Sequence, residues 1–130
     1  MTGKFKLTPV EWEIMESIWE IGGAPSIREV WQHCFPKGEK AYTTVQTIMN
    51  TLEKKGLLGR KKIGLVYFYN PKKLRDEAVK SEVSNMLFKM FNGSVSALAN
   101  YLINSENLSL VEVEAIKDLL RQKEKELRSK

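Results

Sequence analysis

Thr43, Gln46, Thr47 and Asn50 fall on one side of a helical repeat in the segment AYTTVQTIMNTLEKKGLL, opposite Val45, Ile48, Met49 and Leu52. The polar side is uncharged until its far end, where Lys54 and Lys55 stand. An ordinary solvent face favours Glu, Lys, Arg and Ala, and each Thr or Asn costs a few tenths of a kcal/mol in helix propensity. Short donor–acceptor side chains on a helix suit a different task, the reading of base edges in a DNA major groove. Gln and Asn pair with adenine there, and the Thr methyl meets the thymine methyl. Thr43 also stands three residues before Gln46, so the pair can close a capping box. The two roles are compatible.

The neighbouring elements must hold that helix against DNA. Gly56 ends it in the manner of a C′ glycine. Leu57 to Lys62 and Leu65 to Asn70 then read as two strands around Gly64, with Arg60, Lys61 and Lys62 near the turn. A polar helix followed by a basic hairpin is the pattern of a recognition helix and wing. Upstream, Thr8-Pro-Val-Glu11 gives an N-cap, a first-turn proline and a capping box, with Leu7 and Trp12 at the staple positions. Ile14, Met15, Ile18 and Trp19 form the buried face of this helix, and Gly22-Gly23 stop it. Ser26-Ile-Arg-Glu29 repeats the signal for a short helix to about Cys34, with Ile27, Val30 and Trp31 facing the core.

Beyond the wing, Asn70-Pro71 reads as the start of a long helix to about Phe91, lined by Val79, Val83, Met86, Leu87 and Met90. Asn92-Gly93 break it, a short helix follows from Ser94 to about Asn104, and Ser109-Leu-Val-Glu112 caps the last helix. There Val113, Ile116, Leu119, Leu120 and Leu127 make an apolar stripe, with Leu108 and Val113 as staple. Three amphipathic helices in this span are too little chain to bury their own faces. A two-fold dimer through Met86, Met90, Tyr101, Val113, Ile116, Leu119 and Leu120 is the expected solution. Met49, Met86 and Met90 read as core filler. The expected fold is mainly α with a small β-wing: a winged helix-turn-helix over residues 1–75 and a helical dimerisation module over 76–130.

Charge follows the same division. Residues 1–75 hold 13 Lys or Arg against 7 Asp or Glu, a net of +6, whereas residues 76–130 hold 8 against 9, a net of −1. Only the first part is expected to meet a polyanion. Cys34 is the one cysteine and His33 the one histidine. Adjacent residues on a helix diverge by about 100°, so no metal site is expected, and Cys34 reads as a small buried hydrophobe beside a surface His33. No paired carboxylates, Ser–His–Asp set or phosphate-cradling loop is visible, so neither an enzyme nor a cofactor is expected. No signal peptide, lipidation motif or apolar run near the roughly 18 residues of a membrane span is apparent. A cytoplasmic location is expected.

These residues resemble the BlaI/MecI/CopY group of penicillinase-type repressors over almost the whole chain. The resemblance is carried by LTPVEWEIMESIW, SIREVW, AYTTVQTIMNTLEKKGLL, GLVYFYNP and FNGS. It implies a dimeric winged-helix repressor of short inverted repeats, typically containing TACA and TGTA. It also implies that Thr43, Thr44, Gln46 and Thr47 are the DNA-contacting end of the helix. Copper-responsive members carry a C-terminal Cys-x-Cys pair that this chain lacks. β-Lactam-responsive members are cut at an Asn–Phe bond by a membrane-bound metalloprotease, and Asn100-Tyr101 aligns with that bond, with Tyr in place of Phe. Leu65 stands where many members have Arg.

The expected function is a homodimeric transcriptional repressor that occludes a promoter at an inverted-repeat operator. Its DNA contacts would come from Thr43, Thr44, Gln46, Thr47, Asn50, Lys54, Lys55, Arg60, Lys61 and Lys62. Its partners would be double-stranded DNA, a second copy and a membrane sensor-protease. One alternative is a winged-helix regulator controlled by a small ligand in the helical module. The other is a protein-interaction module without sequence-specific DNA binding.

Overall fold

Three helices open on one reciprocal device. The Thr8, Ser26 and Ser109 hydroxyls accept from the N–H groups of Glu11, Glu29 and Glu112, and each glutamate reaches back to the cap residue's own N–H. Such a box satisfies two otherwise orphaned donors, and losing the cap side chain costs about 1 kcal/mol. The computed structural model describes residues 7–130. Their order is α1 (Pro9–Ile21), α2 (Ile27–Cys34), α3 (Tyr42–Lys54), β1 (Leu58–Ile63), β2 (Val66–Pro71), α4 (Arg75–Phe91), α5 (Val95–Ser105) and α6 (Leu110–Arg128). The fold is mainly α with a two-stranded antiparallel wing.

α1, α2 and α3 pack on one another, with the wing against α3 and α1. Ile14, Met15, Ile18, Val30, Val45, Met49, Leu52 and Leu58 are completely buried between them. Trp19, Trp31 and Ile48 close the rim of this core. The apolar positions expected of the first three helices are thus the ones that pack.

The expected Thr43–Gln46 capping box does not form. The N-cap of α3 is Ala41, in extended conformation and with no side chain to offer, so Thr43 is already inside the first turn. Trp31 sets this earlier start. Its indole donates to the Lys40 carbonyl at 2.8 Å, and its ring meets Tyr42 edge-on at 5.8 Å, which pins the chain where α3 begins.

The strands run one residue later than the pattern implied. Ile63 pairs with Val66, leaving Gly64 and Leu65 as a two-residue loop. Gly64 has φ +64, and Leu65 is not among the residues with positive φ. A type II′ hairpin turn has that combination, with glycine at its first central position. Pro71 closes the ladder opposite Leu58 instead of opening a helix, and Lys72 N–H continues the pairing onto the Leu57 carbonyl. α4 therefore starts at Arg75, where the Glu77 carboxylate accepts from the Leu74 N–H at 2.9 Å.

The chain divides into two compact units, one ending at Asn85 and the other spanning Met86–Lys130. The first turns of α4 go with the winged helix. Ala78 is buried there, the Trp19 indole donates to the Lys73 carbonyl at 3.0 Å, and Arg75 forks onto Glu16 at 2.8 and 2.9 Å. In the second unit no side chain is buried. Phe91 and Tyr101 meet at 6.0 Å, and Met86, Val113 and Ile116 are half-covered. Met90, Tyr101, Leu119, Leu120 and Leu127 are all about two-thirds exposed (59–66%). Of the three methionines read as core filler, only Met49 is fully buried.

Candidate nucleic-acid interface

Thr43, Thr44, Gln46 and Thr47 are all exposed along the first half of α3, directly behind a buried Val45 and Met49. The core thus fixes the rotation of the helix and turns its uncharged side outward. Thr47 Oγ1 donates to the Thr43 carbonyl at 3.0 Å, and Thr51 Oγ1 does the same to Thr47. A hydroxyl has one hydrogen. Thr47 thus offers a partner its remaining lone pairs and its methyl group, and Gln46 is the side chain with both an amide donor and an acceptor.

Asn50 has partners on the wing. Its Oδ1 accepts from the Tyr69 phenol at 2.7 Å and from Arg60 Nη1 at 3.3 Å. Those bonds take both lone pairs of the oxygen, and a bidentate adenine contact needs one of them. Asn50 is half-buried and ties the wing to α3.

Lys55 is likewise engaged elsewhere. Its ammonium lies 2.9 Å from both carboxylate oxygens of Glu11, which is 6% exposed. Burial alone pushes the Glu11 pKa up. The Thr8 N–H and Lys55 outweigh that, and the carboxyl is held below its ordinary value. Lys55 thereby fastens the end of α3 to the start of α1, whereas Lys54 is exposed.

The hairpin register separates the three wing cations. Arg60 and Lys62 lie opposite Tyr69 and Tyr67, so these four share one face. Lys61 lies opposite Phe68 and projects from the other face. The Arg60 guanidinium stands 4.5 Å above the centre of the Tyr67 ring, and the Lys62 ammonium 5.6 Å from it. Tyr67 thus gathers two cations next to α3.

Two residues of this surface were not foreseen. Arg28 of α2 lies 5.6 Å over the Tyr42 ring, and both line a cleft of about 300 Å³ with Gln46 and the wing residues Leu65, Val66 and Tyr67. The signal available was the exposed Arg in SIREVW, in the first turn of the helix that precedes α3. The His33–Cys34 pair lies against α1. His33 Nδ1 lies 3.2 Å from Ser17 Oγ. Cys34 is half-buried against the core, and burial raises its thiol pKa, helped by Glu13, Glu39 and Glu20 and opposed by a Ser17 hydrogen bond. A thiol so placed is a poor nucleophile.

Asn100 and Tyr101 are both exposed within α5, where the Asn104 amide donates to the Asn100 carbonyl at 3.0 Å. No described helix is long and apolar enough to cross a membrane.

Residues 7–122 match the family model of the penicillinase repressor. The methicillin resistance regulatory protein MecI of Staphylococcus aureus (strain N315) is 26% identical over 120 residues, 92% of this chain and 96% of that protein. A penicillinase repressor of Staphylococcus aureus is 26% identical over 117 residues, 88% of this chain and 90% of the relative. A solved MarR family protein from Bacillus stearothermophilus is similar over 95% of this chain and 77% of its own, with 19% identity and a TM-score of 0.44. With a match that spans both the winged helix and most of the helices behind it, the chain belongs to the penicillinase repressor family.

Proposed function

We propose that this DNA-binding transcriptional repressor works as a homodimer that occludes a promoter by gripping an inverted-repeat operator. The observation that carries the reading is the exposed, uncharged Thr43–Thr44–Gln46–Thr47 surface of α3, with Arg60 and Lys62 gathered beside it. Gln46 and the threonine methyls supply base readout, while the wing cations and Lys54 supply the sequence-independent attraction to phosphate. Nothing in this arrangement calls for catalysis, in keeping with a family of repressors rather than enzymes.

Residues 86–130 support the dimer. A segment with no buried side chain and with Met90, Tyr101, Leu119, Leu120 and Leu127 exposed has an apolar surface to cover. Each Å² hidden from water contributes about 25 cal/mol. A second copy covers that surface and ties two recognition helices into one ligand. Release then requires only that the module be loosened. A protease cut at the exposed Asn100–Tyr101 bond would sever α6 from α4, although the bond lies inside α5 and must fray to be cut.

The test is a footprint. Duplexes enriched from a random-sequence pool by the full chain should show two protected patches related by a dyad, with their centres about one helical turn or a multiple of it apart. A single unpaired patch, or no enriched sequence, would overturn the proposal.

A further inference from the structure

Of the three wing cations, only Arg60 is held by another element among the described residues. Its guanidinium stands 4.5 Å above the centre of the Tyr67 ring, and Nη1 donates to Oδ1 of Asn50 on α3 at 3.3 Å. Lys62 meets the same ring at 5.6 Å, within its own ribbon, and Lys61 lies on the other face. The Asn50 oxygen is itself anchored. It accepts from the buried Tyr69 phenol at 2.7 Å, and the Tyr69 N–H donates to the Pro25 carbonyl at 2.9 Å. A fixed tyrosine thus steadies the acceptor that steadies the arginine. The donor inventory leaves one orientation for the amide. A guanidinium can only donate, so Asn50 must turn its oxygen and not its nitrogen toward Arg60. Arg60 uses one of its five N–H donors on this bond, and four remain for a partner.

Resting on the DNA-binding reading above, we infer that Asn50 is a positioning residue for DNA: its side-chain oxygen holds the Arg60 guanidinium over Tyr67, in the pose from which Arg60 grips a phosphate beside α3. Asn50 then acts through Arg60 and not on a base. The physical reason is pre-organisation. A long, free cation loses rotamer freedom when it settles on a phosphate, and a side chain already fixed at one N–H and over one ring loses less. A fork onto phosphate also requires the right plane, and stacking on Tyr67 sets that plane. The arrangement couples the two elements that meet DNA. Asn50 lies one turn beyond Gln46 on α3, so the phosphate taken by Arg60 stands at a fixed offset from the base that Gln46 meets. The wing cation thereby sets the register of α3 in the groove.

The experiment uses the full chain on the enriched duplex and on random DNA, each titrated with salt. Asn50→Leu removes the acceptor and no charge. It should nevertheless lose about five- to tenfold on both DNAs, and its slope of log K against log salt should fall by about 1, as in Arg60→Ala. Adding Arg60→Ala to it should cost nothing further, since both act on one contact. Tyr69→Phe keeps the Asn50–Arg60 bond and should keep the wild-type slope. Because Asn50→Leu strands the Tyr69 phenol, the double variant Asn50→Leu/Tyr69→Phe is the folded control and should show the same loss and slope. A wild-type slope in both of these variants, or losses that add to that of Arg60→Ala, would overturn the inference while leaving the repressor reading intact. So would a loss confined to the enriched duplex, which would make Asn50 a base reader. Failure of the wild-type chain to enrich any duplex would instead strike the DNA-binding reading itself.

Discussion

The Tyr69 phenol, 1% exposed on β2, donates a 2.7 Å hydrogen bond to Oδ1 of Asn50 in the middle of α3. One bond thus joins the wing to the middle of α3. Removing the hydroxyl in Tyr69→Phe should cost about 1 kcal/mol. In a domain of this size that lowers Tm by about 4–8 °C. Asn50→Ala should cost more, because it strands a buried phenol without an acceptor, about 1–3 kcal/mol. Thermal unfolding checks both, and an unchanged Tm for Tyr69→Phe would show that the bond contributes nothing.

The wing cations should not behave alike. Arg60→Ala and Lys62→Ala remove charges gathered over Tyr67 beside α3, and each should weaken enriched and random duplexes equally while reducing the salt slope by about 1. Lys61→Ala, from the other face of the ribbon, should have the smaller effect. Salt-titrated gel shifts of the three variants would show it, and identical losses would mean that the hairpin register does not govern the contact.

How much of this was readable without coordinates depends on the range of each interaction. Ile14, Ile18, Val45 and Leu52 were placed by periodicity, and the Thr8, Ser26 and Ser109 caps by local spacing, because both are decided within one or two turns. The partners of Asn50 and Lys55, Tyr69 and Glu11, lie 19 and 44 residues away, beyond the reach of local spacing. A polar residue on an exposed helix face looks the same whether it meets DNA or a distant tyrosine. Pro71 looked like a helix start, since proline favours that position, but pairing with Leu58 took it into the strand. The one-residue shift in the hairpin moved both strands together and left every residue on its own face, so the separation of Lys61 from Lys62 follows from strand alternation alone.

The Glu11–Lys55 pair makes stability depend on acid. The Glu11 carboxyl has a folded pKa below its ordinary 4.5, so its contribution is present above that pH and is lost as pH falls through the folded value. Lys55→Met leaves a buried carboxylate with only the Thr8 N–H and hydroxyl, and should destabilise the chain by about 1–3 kcal/mol at pH 7. The gap from wild type should narrow as pH falls through the folded pKa and Glu11 takes up a proton. Urea unfolding at pH 7 and pH 3.5 measures it, and a gap that is constant or widens in acid would be contrary to this account. Arg75 lowers the Glu16 carboxyl in the same direction, but that pair is exposed enough for solvent to screen most of its effect.

Leu119 is 66% exposed in the single chain, so Leu119→Glu should leave the fold intact. If the second unit is the dimer contact, this variant should sediment as a monomer with the circular dichroism of the wild type. Its operator affinity should fall by at least tenfold, because two half-sites are no longer held by one molecule. A variant that remains dimeric would place the contact elsewhere.

Gln46→Ala probes base readout by α3. Gel-shift titrations of this variant and the wild type on the enriched duplex and on random DNA separate specific from non-specific binding. Loss of about 1–3 kcal/mol on the enriched duplex with little change on random DNA is the predicted result. Equal losses on both, as for Lys62→Ala, would mean that Gln46 only adds to general attraction and that α3 does not read the sequence.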